Sequence, residues 1–397
     1  MLAHSPPLPL VVEYLEDDDD ADITEQAIIL ALEQRDRVRR IRLYLPVLKL
    51  QKLIMAMEGE YPILEYLILA DPLSDTRTVL ILPETLETPH LRHLFIDCSI
   101  PIRSPLLVTA AGLVNLFLAL YHPSTYFEPT FLLQSLSSKP QLEILLIAFQ
   151  FAVPNRDVER QLMRTPIMTQ VTLPNLRSFV FQAVSVYSEA VLGRITAPRL
   201  EIFRVHYHKQ LTFSVPQLLQ FVGRTENLRF DRAEFVFDSK QVNVKVNPPE
   251  TNMPMGDFSI NVTCWHLDWQ VSSVAQIFNA LGQMFSAVEH LTFSHKAHSQ
   301  SSEEHNEVDR VEWRKLLRSF SNVKTIRIDD ELVEEFSRCL QLEDGEHPLE
   351  LLPELQEVTC SGSGNANDAF TSFIDARRNV DRPVTLIESE FGEFPVI

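Results

Sequence analysis

One apolar motif, Leu-x-x-Leu-x-Leu with other apolar residues at some positions, recurs along most of the 397-residue chain. The copies are Val38/Ile41/Leu43, Leu64/Leu67/Leu69, Leu91/Leu94/Ile96, Leu113/Leu116/Leu118, Leu142/Leu145/Ile147, Leu176/Phe179/Phe181, Leu200/Phe203/Val205, Leu228-Arg229-Phe230, Val262/Trp265/Leu267, Val288/Leu291/Phe293, Val323/Ile326/Ile328 and Leu355/Val358/Cys360. Their mean spacing of roughly 29 residues lies within the range of leucine-rich repeats.

The motif has a direct structural interpretation. On a short strand, the second and third apolar residues point to the same face, and the first enters from the preceding bend. Apolar residues at helical spacing follow several copies, for example Leu50/Leu53/Ile54 and Val274/Ile277/Phe278. The sequence therefore predicts an α/β fold, a leucine-rich-repeat solenoid with a curved parallel sheet of about 12 short strands on the concave side and helices on the convex side.

The repeats divide the chain into three predicted parts. Residues 1–22 are expected to form an opening strand and an acidic loop that cap the first repeat. Residues 23–360 carry the irregular repeats, with a loop excursion at 238–257 in which alternating valines favour a β ribbon. Residues 361–397 are expected to form a capping helix and a tail.

Charge and composition argue against several classes of function. The net charge of −19 argues against binding to a nucleic-acid backbone, which needs a basic surface. Phosphate-loop, nucleotide-binding and nucleophile-elbow motifs are missing, so no cofactor is expected. No signal peptide or membrane-spanning run is evident, and the four cysteines lack metal or disulfide spacing. We expect an intracellular protein, cytoplasmic or nuclear or both, that contacts no membrane.

Two short clusters contain side chains that can bind a metal or act as nucleophiles. His206-Tyr207-His208 would place two imidazoles on one face of a strand, but no third ligand lies nearby in sequence, and a surface histidine pair is the simpler interpretation. Cys264-Trp265-His266 lacks an orienting acid and an oxyanion site. The sequence therefore predicts neither a catalytic residue nor a metal ligand.

The residue between the second and third motif positions is expected to face the concave side, because side chains alternate along a strand. These residues are Arg42, Ile68, Phe95, Phe117, Leu146, Val180, Arg204, Arg229, His266, Thr292, Arg327 and Thr359. The row is apolar from Ile68 to Val180, and three arginines follow from Arg204 to Arg327. We expect a protein segment with apolar anchors at Phe95 and Phe117 and an acidic end at Arg204 and Arg229. Strand propensity alone, or a covering loop, would also account for the apolar residues.

Four phrases in the C-terminal half carry a family resemblance. They are Leu267-Asp268-Trp269-Gln270-Val271-Ser272-Ser273-Val274-Ala275-Gln276, Trp313-Arg314-Lys315-Leu316-Leu317-Arg318-Ser319-Phe320, Leu351-Leu352-Pro353-Glu354-Leu355-Gln356-Glu357-Val358 and Phe373-Ile374-Asp375-Ala376-Arg377-Arg378. In this order they resemble the leucine-rich-repeat region of the F-box proteins of mushroom-forming fungi. The resemblance implies a non-catalytic module that selects substrates for an SCF ubiquitin ligase.

The sequence departs from that family at its start. Leu8-Pro9 faintly resembles the opening of an F-box, but the three-helix pattern is missing and the acidic run Glu16-Asp17-Asp18-Asp19-Asp20 follows instead. Docking to the Skp-type adaptor is therefore not expected from these residues. The alternative is a structural or degenerate paralogue without a ubiquitin-ligase connection.

Overall fold

A computed structural model describes residues 8–15, 25–72, 79–99, 105–150, 167–208, 210, 212–228, 230–247, 257–282, 284–296, 307–342, 345–361 and 366–389. Within these residues the protein is of the mixed α/β class, with a large, mostly parallel sheet of 15 strands. The chain divides into two compact units, Met1–Leu200 (unit 1) and Glu201–Ile397 (unit 2).

Unit 1 alternates strands with helices. Its strands are β1 (Leu10–Leu15), β2 (Val38–Tyr44), β3 (Tyr66–Ala70), β4 (His93–Asp97), β5 (Asn115–Leu120), β6 (Ile144–Phe149), β7 (Val171–Thr172), β8 (Ser178–Ala183) and β9 (Ile195–Thr196). Its helices are α1 (Glu25–Leu32), α2 (Val47–Met55), α3 (Pro105–Thr109), α4 (Pro129–Ser137) and α5 (Ser185–Leu192), with a 3-10 turn at Pro123–Thr125. Strands β1 to β6 and β8 lie side by side in this order, all parallel, and β7 pairs with β9 in a separate parallel ladder.

The core of unit 1 is built from the repeated apolar positions. In the parallel register, equivalent motif positions lie side by side on successive strands. Leu67 pairs with Leu94, Leu94 with Leu116, and Leu116 with Leu145. These four side chains and Phe179 are at most 2% exposed, which confirms the predicted inward register. Burial of such leucines is a main source of the free energy of folding.

Unit 2 carries the remaining strands. They are β10 (Ile202–Tyr207), β11 (Arg232–Asp238), β12 (Gln241–Asn247), β13 (Asp257–Thr263), β14 (His290–Lys296), β15 (Thr325–Asp329), β16 (Glu357–Ser361) and β17 (Thr385–Ser389). Its helices are α6 (Pro216–Gly223), α7 (Leu267–Leu281), α8 (Glu307–Leu317), α9 (Val333–Leu340) and α10 (Ala366–Arg378), with 3-10 turns at Met284–Ala287 and Asp330–Leu332. Aromatic side chains dominate its core: Phe235 packs on Phe278 of α7, and Phe293 packs on Trp313 and Phe336.

The sheet of unit 2 departs from the predicted all-parallel arrangement. Its strand order is β10-β13-β12-β11-β14-β15-β16-β17, and β12 runs antiparallel to both of its neighbours. The predicted ribbon of alternating valines is confirmed, since Val242, Val244 and Val246 are buried within β12. This ribbon is an internal strand of the sheet, and the part of the predicted excursion at 248–256 lies outside the described residues.

Two predicted copies of the motif are wrong in register. Strand β11 begins at Arg232, after Leu228-Arg229-Phe230, and Arg229 lies outside the described residues. Strand β13 ends at Thr263, because the buried alternation is Phe258, Ile260 and Val262, and helix α7 already begins at Leu267. His266 therefore precedes a helix rather than lying on a strand.

The three predicted parts of the chain stay a prediction. Strand β1 lies within residues 1–22, and helix α10 and strand β17 lie within residues 361–397. Among the described residues, no helix has both the length and the hydropathy that crossing a bilayer requires.

Candidate functional site

The sheet of unit 1 has a second face, opposite the buried leucines, that carries one large apolar side chain on each of five adjacent strands. These residues, here named the apolar row, are Ile68, Phe95, Phe117, Leu146 and Val180. Each is partly exposed, whereas the residues before and after it on its strand are buried. With strands about 4.8 Å apart, the apolar row is roughly 19 Å long. The structure thus brings together the unit 1 residues that the sequence predicted.

Aromatic stacking orders the middle of this face. The rings of Phe95 and Phe117 are stacked with centroids 3.9 Å apart. Beside them, Tyr66 and His93 stack at 4.1 Å. Burial, and secondarily the charge of Arg92, lowers the pKa of His93, so this imidazole is neutral near pH 7. Stacked aromatic pairs stabilise a structure beyond the burial of their area.

A basic end adjoins the apolar row on strand β2. Arg42 is exposed and lies in register beside Ile68. The guanidinium of Arg40 lies 4.4 Å from the centroid of the Tyr66 ring, in cation–π geometry. Glu13 of β1 is the register neighbour of Arg42 on the other side. The predicted site residue Arg42 thus lies next to the apolar row.

The corresponding face of unit 2 is polar. Arg204 is already engaged, since its Nε and Nη2 donate to Asp257 Oδ2 at 3.1 and 2.6 Å. Arg327 is half-buried between Thr292 and Thr359 on the neighbouring strands. Of the arginines expected to bind an acidic segment, Arg204 is neutralised by Asp257, and Arg229 lies outside the described residues.

His206 and His208 lie side by side, as their spacing predicted, but the predicted surface pair is wrong because His208 is buried and His206 is only partly exposed. His206 Nε2 lies 2.7 Å from Thr263 Oγ1, and the two imidazole centroids are 6.0 Å apart. Burial, and then the neighbouring His208, lowers the pKa of His206 to about 4. Across the described ranges, no group of three or more histidine, cysteine or acidic side chains is placed to hold a metal ion.

The cysteines are poorly placed for nucleophilic chemistry. All four are buried, and none forms a disulfide. Burial raises the pKa of Cys339 to about 12 and that of Cys360 to about 11, which leaves almost no thiolate at neutral pH. The thiol of Cys264 is buried while His266 is exposed and packs edge-on against Trp269, with centroids 4.9 Å apart.

Sequence reasoning missed two exposed tryptophans in unit 2. Trp265, which precedes helix α7, is 60% exposed, and Trp269, in its first turn, is 45% exposed. Lys240 Nζ lies 5.7 Å from the Trp265 ring centroid. Helical spacing was no signal for this exposure, because only Trp269 lies on the helix. The incorrect strand assignment of 262–267 concealed the exposure of Trp265.

No protein-family model matches the sequence, and no curated protein matches it at a significant level. The functional interpretation therefore rests on the residues and their geometry.

Proposed function

We propose that the chain is a non-catalytic recognition module that binds a protein partner on the apolar row of unit 1. The observation that carries this proposal is the alignment of five partly exposed large apolar side chains on five hydrogen-bonded strands. A contiguous apolar surface of this kind is typical of an interaction site. Because the strands are held by their neighbours, little conformational entropy is lost when a partner binds.

The proposal extends to the architecture and the cellular role. The repeated motif and the four phrases of the C-terminal half support a leucine-rich-repeat solenoid of the F-box type, which would select substrates for an SCF ubiquitin ligase. Four buried cysteines, none of them in a disulfide, support a reducing, intracellular location. Binding of the Skp-type adaptor requires an F-box, for which the sequence offers only Leu8-Pro9.

Affinity capture with matched baits tests this function. Three baits are compared: the parent chain, Phe117→Asp, and the control Leu48→Asp, which places the same charge on an exposed leucine of helix α2. We expect mass spectrometry to identify proteins retained by the parent and by Leu48→Asp but lost from Phe117→Asp. Equal retention by all three baits would contradict binding on the apolar row.

The ligase connection is tested separately. Purified Skp-type adaptor is added to the parent chain, and a captured partner is assayed for ubiquitination in the reconstituted ligase. If a partner binds the apolar row but the chain neither binds the adaptor nor supports ubiquitination, the chain is a recognition module without the F-box role.

A further inference from the structure

The apolar row offers a partner only apolar side-chain contacts. Strands β3, β4, β5 and β6 are each flanked by a strand on both sides, so their backbone groups are engaged in the sheet. The side chains of the apolar row have no hydrogen-bond donor or acceptor. A segment that lies across these strands must therefore satisfy its own backbone N–H and C=O groups, because leaving them unpaired against an apolar surface is costly. An α-helix does this internally, whereas an extended segment does not.

The dimensions of the face favour the same conclusion. Successive members of the apolar row are about 4.8 Å apart, while the side chains on one face of a helix recur with each turn of about 5.4 Å. The mismatch is about 0.6 Å per step, or about 2.4 Å over the four steps from Ile68 to Val180. Same-side residues of an extended chain recur about every 6.7 Å, and their mismatch over the same four steps is about 7.6 Å. A helix crossing the strands therefore departs from the spacing of the apolar row by about a third as much as an extended segment does.

The charged side chains of the face predict which way the helix is oriented across the strands. Arg40 and Arg42 are exposed at the β2 end, where Glu13 of β1 lies beside Arg42 and leaves an excess of one positive charge among these three residues, and Gln182 and Ser178 on β8 are uncharged at the other end. Acidic side chains at one end of the helix would be attracted to this end of the face, and the attraction depends on salt because both arginines are in contact with water.

We propose, building on the proposed function, that the occupant of the apolar row is an amphipathic α-helix of a partner protein. About 13 of its residues cross the strands from β8 to β3, since a helix rises about 1.5 Å per residue. Its apolar side chains contact Phe95, Phe117 and Leu146, and its acidic end lies over Arg40 and Arg42.

Photo-crosslinking of the full chain tests the proposal. Phe95 is replaced by p-benzoylphenylalanine, the crosslinked segment of the partner is identified, and that segment is synthesised as a free peptide of about 20 residues. Its affinity is measured for the parent chain, for Arg40→Gln/Arg42→Gln, and for Lys49→Gln/Lys52→Gln. The last variant removes the same charge from helix α2 and serves as the matched control.

We expect the peptide to gain helical circular dichroism on binding, and a proline at its centre to weaken binding at least tenfold, since proline breaks a helix interior. The arginine variant should weaken binding about fivefold at low salt, and the lysine variant should not. Binding without helix formation, tolerance of the proline, or equal effects of the two charge variants would overturn the helical occupant, while loss of binding in Phe117→Asp would still support the proposed function. If the peptide binds Phe117→Asp as well as the parent, the proposed function itself fails.

Discussion

Neighbouring residues of strand β6 differ sharply in burial, and their contrast tests the register of the sheet. Leu145 is fully buried in the core, whereas Ile144 is 45% exposed. We expect Leu145→Ala to lower the free energy of unfolding by about 2–5 kcal/mol, because the truncation removes buried methyl groups and leaves a cavity. Ile144→Ala should cost less than about 1 kcal/mol. Urea unfolding measures both, and comparable losses would show that the two faces of the sheet are assigned wrongly.

Lys139 is a buried cation in unit 1 that no motif predicted. It follows helix α4, and its Nζ donates to the carbonyl oxygens of Leu107 and Ser135 at 2.6 and 2.7 Å. Burial lowers the pKa of Lys139 to about 8 from its usual 10.5. The sequence could not reveal this, because the residue lies in a polar Ser-Ser-Lys stretch and its burial depends on the packing of α3 against it.

The lowered pKa of Lys139 makes the stability of the protein depend on pH. Between pH 8 and 10.5 the unfolded chain binds more protons than the folded chain, so the free energy of unfolding rises with pH. The rise attributable to Lys139 is up to about 3 kcal/mol. Urea unfolding across this range should show the extra slope in the parent chain, in comparison with Lys139→Met. Parallel profiles for the two proteins would mean that Lys139 is not buried as described.

Arg377 is fully buried in unit 2, and its guanidinium is surrounded by backbone carbonyls. Its five N–H groups donate to backbone carbonyls at 3.0–3.3 Å. The acceptors are Pro348, Leu352, Pro353, Leu355 and Arg382. One of them, Leu352, has a positive φ of 50°, a conformation that costs about 1 kcal/mol or more in a residue other than glycine. The bond from Arg377 helps to hold that conformation.

Replacement of Arg377 by lysine should be costly in spite of the retained charge. An ammonium has three donors on a flexible stem and cannot reach five carbonyls that are arranged around a planar group. We expect Arg377→Lys to lower the free energy of unfolding by about 3 kcal/mol. The adjacent Arg378, which is exposed and pairs with Asp375 at 2.7 Å, is the control, and Arg378→Lys should cost less than about 0.5 kcal/mol. An equally mild effect at both positions would contradict the role of Arg377.

The sequence predicts that strand β12 exists, but it does not predict the position of this strand in the sheet. The alternation of Val242, Val244 and Val246 with polar residues predicted a strand, because period two is a local property. Its place between β11 and β13 depends on pairing between distant parts of the chain, which no local pattern reports. The same insertion sets β13 beside β10 and brings Asp257 to Arg204, which neutralises an arginine expected to bind a partner.

The alternation in β12 leads to a prediction at adjacent residues. Val244→Asn places an amide in the core and should lower the free energy of unfolding by about 2 kcal/mol or more. Lys245→Asn changes an exposed residue of the same strand and should stay within about 0.5 kcal/mol. Thermal unfolding compares the two variants, and a larger effect at Lys245 would show that β12 is placed with the wrong face inward.

For the whole molecule, the parts predicted well are those that repeat. Equivalent positions of the motif pair across the strands of unit 1, so one correct register predicted both the core and the apolar row. The errors lie in unit 2, where Val262, Trp265 and Leu267 matched the motif by spacing although Leu267 begins helix α7. Spacing alone does not distinguish a strand from the start of a helix when apolar residues are frequent.

Binding of a protein on the apolar row can be measured with matched variants. The affinity of the captured partner is determined by calorimetric titration for the parent chain, for Phe117→Asp and for Leu48→Asp, after circular dichroism has verified that each is folded. We predict that Phe117→Asp weakens binding at least tenfold, because an aspartate would be desolvated at the centre of the interface, and that Leu48→Asp retains the parent affinity. Equal affinity of the parent chain and Phe117→Asp would contradict the account.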